Sequence, residues 1–314
     1  MRRLRLGTRG SRLALAQSRM VATMLEGAHE GLTVDLVEVR TSGDRIQDVP
    51  LGPHLGQAFF TKEIEDALLD GRVDLAVHSC KDLATRLPEG LALGAIPSRE
   101  DPRDALVSAG RRLDELPAGA RIGTSSPRRK NFLARARPDL VLVDQRGNVP
   151  TRVAAADEGR VDAVILAVSG LKRLDLGNRI VEILDPEIML PAAAQGALAI
   201  QIRADEDETA ATVGVLDDLV ARSEITAERA CLHHLGAGCQ APVGVLARME
   251  GDRLLLRAGV VTPELAARAE AEGPPAQAAE VGIRAAQELL DQMDLPSLRD
   301  AAWAGPPPRA GGAP

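Results

Sequence analysis

Residues 5–12 read RLGTRGSR and residues 121–128 read RIGTSSPR. Each stretch is a short strand, then Gly-Thr, then a turn of small residues, then the start of a helix. In the second, Ser126 has the short oxygen side chain of an N-cap, and Pro127 has the fixed φ that suits the first helical position. A further echo follows each one: GRVDLAV at 71–77 and GRVDAVI at 159–165, both after a helical stretch. Gly71 and Gly159 suit the left-handed residue after a helix, and the apolar run beyond suits a buried strand. The spacing between echoes differs, so this is no tandem repeat. The pattern predicts two related α/β lobes.

Working outward, the first lobe reads as strands near 3–8, 33–40, 73–77 and 91–96 with helices near 11–26 and 61–70. The second reads as strands near 104–108, 121–124, 140–144 and 161–167 with helices near 127–136 and 149–158. Alternating strand and helix predicts mostly parallel sheets. After Pro191 come a strand, ALAIQI at 197–202, and a helix near 206–221. A last unit has a helix at 224–235, the turn GAGCQAP, strands at 243–248 and 253–260, and a helix at 275–291. The tail GPPPRAGGAP reads as disordered. The expected domains are 1–98 with 196–218, 103–191, and 222–304, followed by a tail at 305–314. The chain thus crosses twice between lobes, with hinges near 98–103 and 190–196.

The 314 residues suffice for two or three domains. Aromatic residues make up only 1% of the chain, so the core must be aliphatic, and stacking on single-stranded nucleic acid is disfavoured. A net charge of −7 argues against a general DNA binder. No apolar run approaches membrane-spanning length, and the basic start MRRLRLGTRGSR lacks the apolar stretch of a signal peptide. Cys80, Cys231 and Cys239 do not make a disulfide framework. These features predict a soluble cytoplasmic protein with free thiols.

Although the chain is acidic, basic residues gather where predicted strands run into helices: Arg9, Arg12, Arg128, Arg129, Lys130, Arg146 and Arg152. Guanidiniums fork onto carboxylate or phosphate, so these turns predict a grip on a small polyanion. In Ser125-Ser126-Pro127-Arg128-Arg129, free helix N–H groups and two guanidiniums are expected to converge on one spot. His78-Ser79-Cys80-Lys81-Asp82 follows a strand, at the strand end where α/β sheets bind ligands. There Lys81 and Asp82 suit acid/base or charge-stabilising work. Cys231, His233, His234 and Cys239 have no familiar zinc spacing, and no metal is expected. Cys239 lies in a turn of small residues and suits a nucleophile or covalent attachment point. Cys80 and Cys231 read as buried structural thiols. Neither a P-loop, a G-x-G-x-x-G turn nor a G-x-S-x-G elbow is present.

The stretches GTRGSRLALAQS, TSGDRIQD, FTKEIEDALL, DLAVHSCKD, REDPRDALVS, IGTSSPRR, QRGNVPTR, DAVILAVSGLKRL, LPAAAQGALAI and ITAERACLHHLGAGCQAPVG together resemble one family, hydroxymethylbilane synthase, also called porphobilinogen deaminase. They run in family order from about residue 5 to about residue 245. The resemblance implies a transferase of tetrapyrrole biosynthesis. It condenses four porphobilinogen molecules into linear hydroxymethylbilane, releasing ammonia at each step. The chain grows on a dipyrromethane cofactor held by a thioether, here to Cys239. The implied catalytic residue is Asp82. Implied cofactor contacts are Lys81, Ser126, Arg128, Arg129, Arg146 and Gly147. Implied substrate contacts are Arg9, Ser11, Phe60, Arg152, Arg173 and Gln195. The resemblance also implies a fold of two periplasmic-binding-protein-like α/β lobes flanking a cleft, with a small C-terminal α+β domain carrying the cysteine, and a monomer. The segment Leu55-Gly56-Gln57-Ala58-Phe59-Phe60 departs from the family's usual GGKGLF-like loop, losing its lysine and a glycine. KDLATRLP likewise replaces a KDLPT- or KDVP-like turn.

The residues alone also admit a two-lobed anion-binding protein without catalysis, and a zinc enzyme centred on Cys231 to Cys239. Ammonia release from porphobilinogen separates the first from a synthase, and metal analysis separates the second.

Overall fold

The computed structural model describes residues 2–41, 61–237 and 241–298. Strand β1 (Arg2–Thr8) leads through a turn into α1 (Arg12–Ala28), which Ser11 caps by accepting a hydrogen bond from Ala14 N. The buried residues of α1 are Gln17, Ser18, Val21, Ala22 and Leu25, the stripe that 3.6-residue periodicity lays against a sheet. Then follow β2 (Leu32–Glu38), α2 (Lys62–Leu69), β3 (Leu75–Ser79), a 3-10 turn at Cys80–Asp82, and β4 (Leu91–Ala95). The second lobe contains β5 (Asp104–Ser108), β6 (Arg121–Gly123), α3 (Pro127–Ala136), β7 (Val141–Val143), α4 (Val149–Asp157), β8 (Ala163–Ala167), α5 (Val168–Lys172) and β9 (Glu182–Ile183). The chain returns through β10 (Leu198–Arg203) and α6 (Asp207–Gly214), and then enters α7 (Leu219–His234). It finishes with β11 (Val243–Glu250), β12 (Arg253–Val261), β13 (Ala266–Gly273) and α8 (Ala278–Met293).

The two lobes have the same topology. One sheet runs β2-β1-β3-β10-β4 and the other β7-β6-β8-β5-β9. In each, three strands are parallel, and the fourth runs antiparallel to both its neighbours. The expectation of mostly parallel sheets is therefore corrected to mixed sheets. The antiparallel strands β10 and β5 are the ones reached directly from the opposite lobe. A strand entering a sheet from such a crossing has no helical return to align it with its neighbours, so parallel pairing is not imposed, and both of these strands run the other way. Gly71 and Gly159 both adopt positive φ, +66° and +68°, as the echo requires.

The last unit is an antiparallel sheet, β11-β12-β13, with α7 and α8 packed on it. Gly282 lets the two helices touch backbone to backbone, since a Cβ there would lie 2.1 Å from Ala227 O. Two further corrections concern this region. The helix expected at 206–221 stops at Gly214, and α7 begins at Leu219, earlier than residue 224. The break is made by paired aspartates: Asp218 caps α7 by accepting from Ala221 N, and Asp217 Oδ1 accepts from Ile96 N at 2.7 Å. Strand β13 was not expected, because Ala, Arg and Glu are poor strand formers. Its neighbour β12 pairs along its whole length, and alternation buries Ala267, Ala269 and Gly273.

Candidate active site

At the carboxyl end of β3, Ser79 Oγ is held by Gln17 Nε2 at 2.9 Å, and Cys80 N donates to Ala197 O at 3.0 Å. The chain then makes its 3-10 turn, leaving Lys81 half-buried and Asp82 exposed. Asp82 makes no hydrogen bond to a described residue, whereas Lys81 Nζ donates to Gln195 Oε1 at 3.2 Å. Burial beneath surrounding protein lowers Lys81 to about 8, against the opposing pull of Asp82.

Gln195 sits between Ala194 and Gly196, both at positive φ, in the crossing from β9 to β10. Gly196 is obligatory there, because a Cβ would lie 2.3 Å from Glu100 O in the other crossing. The two crossings are joined: Glu100 N donates to Gly196 O, and Arg99 Nε donates to Gln195 O at 3.0 Å. Arg99 also meets buried Glu224 and Glu228 of α7 at 3.1 and 2.8 Å. Glu228 further accepts from Ala194 N and Ala247 N. Burial raises the Glu228 carboxyl, while Arg99 and the two backbone N–H groups oppose it.

Arg128 and Arg129 do converge on one spot, but an internal carboxylate occupies it. Arg128 is 4% and Arg129 6% exposed, and both bind Asp104, the first residue of β5. Gln195 Nε2 donates to the same carboxylate at 3.0 Å. Ser126 caps α3 by accepting from Arg129 N, and Ser11 is the cap of α1. Arg152 Nε donates to Gly147 O at 2.7 Å, and Gly147 needs its φ of +99° where the chain turns into α4. Arg173 Nη2 donates to Gly196 O at 2.6 Å, while its Nε is buried without a partner among the described residues. Burial lowers Arg152 and Arg173 to about 10 each; Arg129 adds repulsion at Arg152, and Glu100 gives partial relief at Arg173. Arg9 is half-buried at the end of β1, where its charge adds to the burial that depresses His78, and Arg146 is exposed just before α4. Phe60 and Cys239 lie outside the described residues, as do the 55–60 segment and the 305–314 tail.

Lys81, Gln195, Asp104, Arg128 and Arg129 are thus linked by direct contacts, with Arg152 and Arg173 nearby in charge or along the chain. Asp104, Arg99 and Glu228 went unnoticed in the sequence. The signal for Asp104 was an acidic residue directly heading the apolar run ALV of the strand DALVS. Of the residues in the zinc reading, His233 and His234 face different partners: His233 Nδ1 meets Thr85 Oγ1, whereas His234 Nε2 meets Gln287 Oε1. Cys80 and Cys231 are free and buried, and burial pushes the Cys231 thiol up to about 12. Neither therefore supplies a thiolate near neutral pH.

Comparison with known proteins agrees over nearly the whole chain. Residues 4–211 match the family model "Porphobilinogen deaminase, dipyromethane cofactor binding domain", and residues 223–291 match "Porphobilinogen deaminase, C-terminal domain". The porphobilinogen deaminase of Roseiflexus sp. (strain RS-1) is 48% identical, over 91% of this chain and 95% of that protein. That of Syntrophus aciditrophicus (strain SB) is 44% identical, over 92% and 95%. Among solved structures, the methionine binding protein MetQ is similar at 12% identity and a TM-score of 0.44, covering 68% of this chain and 89% of that one. With two family models matched in order and curated relatives aligned almost end to end, the chain belongs to the porphobilinogen deaminase family.

Proposed function

We infer that this chain is a hydroxymethylbilane synthase, a transferase that condenses four porphobilinogen molecules into hydroxymethylbilane in tetrapyrrole synthesis. Each addition breaks the C–N bond of a porphobilinogen aminomethyl arm and releases ammonia. A C–C bond forms to the terminal pyrrole, which gives up its α-proton. The observation that carries the reading is a set of guanidiniums that the protein's own carboxylates leave undercompensated. Arg152 and Arg173 are both held near 10 by burial, and Arg173 Nε is an orphaned donor. Every pyrrole brings acetate and propionate arms, so each ring added brings the counter-charge that these donors lack.

Neighbouring donors fit the family's dipyrromethane cofactor. Lys81, Ser126, Arg128, Arg146 and Gly147 would hold its acidic arms, with Arg129 backing them from its bonds to Asp104, and Cys239 would carry the thioether. When bound, the cofactor supplies the free pyrrole position from which the chain grows. Covalent attachment keeps the growing chain in place between additions. Arg9, Ser11, Phe60, Arg152, Arg173 and Gln195 would receive incoming substrate. Asp82, exposed and without a hydrogen-bond partner among the described residues, is free to face the ring. It stabilises positive charge as ammonia leaves and takes up the released proton.

Residues 1–98 with 196–218, 103–191 and 222–304 would form three domains that shift at the two crossings as the chain lengthens. The enzyme would work in the cytoplasm as a monomer. The test is the intact mass of the protein after incubation with porphobilinogen, a peptide map across Cys239, and ammonia release. A two-pyrrole adduct on Cys239 with steady ammonia release is expected. A chain that stays unmodified and releases no ammonia would instead favour a passive anion binder.

A further inference from the structure

Asp104 is fully buried, and its carboxylate collects three side chains. Oδ2 accepts from Arg128 Nη1 at 2.7 Å. Oδ1 accepts from Arg129 Nε at 3.0 Å, from Arg129 Nη2 at 2.7 Å and from Gln195 Nε2 at 3.0 Å. Gln195 Nε2 also donates to Pro102 O at 2.7 Å, and its Oε1 accepts from Lys81. One carboxylate is therefore tied to α3 of the second lobe, to both crossings, and to the lysine at the end of β3 in the first lobe. Burial opposes its charge, but Arg128 and Arg129 outweigh that and hold it well below the usual carboxylate range.

The donor inventory separates the two arginines. Arg129 commits Nε and Nη2 to Asp104 and Nη1 to Ile165 O. Arg128 commits only Nη1, to Asp104 and Leu190 O. Its Nε–Nη2 edge, the two-donor face that matches a carboxylate, carries no partner among the described residues.

We propose that Asp104 is a positioning residue for the known reaction: it fixes Arg129 as a support, keeps the Nε–Nη2 edge of Arg128 for a pyrrole carboxylate, and through Gln195 sets the position of Lys81. The inference rests on the reading of Arg128 and Lys81 as ligands of the acidic rings. A lone structural ion pair would have no reason to bind Gln195 as well, nor to leave one guanidinium edge unused beside a second that is fully committed.

The test compares Asp104→Asn, Gln195→Met and Arg128→Lys with the unaltered enzyme. Cofactor loading is checked by intact mass, folding by circular dichroism, and KM and kcat with porphobilinogen. In folded, loaded Asp104→Asn, KM is expected to rise about 30-fold, because a buried charge-assisted contact is cut while the ligand's partners stay present. Arg128→Lys is expected to raise KM alike and to add less than about twofold in the Asp104→Asn background, since coupled residues are non-additive. Gln195→Met, which severs the branch from Asp104 to Lys81 together with the bond to Pro102 O but leaves both arginines on Asp104, is expected to raise KM and to move the alkaline limb of the pH profile. If Asp104→Asn does not fold, the Gln195→Met result decides. Lowered thermal stability with unchanged KM in Asp104→Asn, or an unmoved limb and KM in Gln195→Met, overturns the positioning role alone. An unaltered enzyme that never consumes porphobilinogen overturns both this inference and the functional reading beneath it.

Discussion

Replacing Glu228 by Gln keeps the shape of a fully buried side chain while removing its charge. Oε1 accepts from Arg99 Nη1 at 2.8 Å and Ala247 N at 2.7 Å. Oε2 accepts from Arg99 Nη2 at 2.9 Å and Ala194 N at 2.6 Å. Whichever oxygen becomes an amide nitrogen, two donors lose their acceptor and face a third donor. Arg99 keeps Glu224 at 3.1 Å, so its charge is not abandoned. Hydrogen bonds to charged groups contribute about 1.5–3 kcal/mol each, and breaking a buried ion pair costs about 3–5 kcal/mol, so a loss of about 4 kcal/mol is expected. For a chain of this size that lowers Tm by roughly 6 °C. Circular dichroism melts, repeated as urea titrations, read the effect. The double variant Arg99→Met/Glu228→Met is expected to recover only part of the loss, because Ala194 N and Ala247 N stay buried without an acceptor. A Tm fall below about 2 °C for Glu228→Gln would refute the reasoning, since no arrangement of four donors around an amide is that cheap.

Asp82→Asn is expected to lower kcat by about 100-fold or more while the two-pyrrole adduct still forms, as stopped assays and intact mass would show. Lys81, lowered to about 8, predicts an alkaline fall in kcat/KM near that pH, and Lys81→Arg is expected to carry the plateau at least one pH unit higher. In stability the same lysine has the opposite sign. Between about 8 and an ordinary lysine value the unfolded chain holds the proton that the folded chain has released, so this group's contribution to stability rises with pH across that window. Gly282→Ala is expected to destabilise by about 2 kcal/mol or more, read as a lower Tm, because its Cβ meets the backbone of α7 rather than a side chain that can move.

The two-lobed fold was legible because its punctuation is local. Ser11 and Ser126 cap helices, and Gly71 and Gly159 end them, through interactions spanning a few residues. Lys81, Asp82 and the arginines were legible because strand ends in α/β sheets are ligand-facing by topology. The direction of β5 and β10 was not legible, since an apolar strand reads the same either way along a sheet. Nor was the fate of Arg128 and Arg129. Their turn chemistry is local, but their partner Asp104 lies 24 and 25 residues earlier, on a strand that only the finished sheet brings alongside. Strand β13 was hidden by composition, although alternating burial at Ala267 and Ala269 leaves a period-two trace once β12 is in place.

The exchanged strands carry a consequence for biogenesis. Every strand of the second sheet lies within residues 104–183, so that lobe has all its parts as soon as this segment has left the ribosome. The first sheet waits longer. Until residues 198–203 emerge, β3 and β4 have no strand between them, and their facing backbone edges stay unpaired. The nascent chain therefore holds an open sheet through the synthesis of about a hundred residues, roughly 5–20 s at ordinary elongation rates. That interval is the natural window for chaperone engagement, and a stalled or truncated product ending before β10 exposes an aggregation-prone edge.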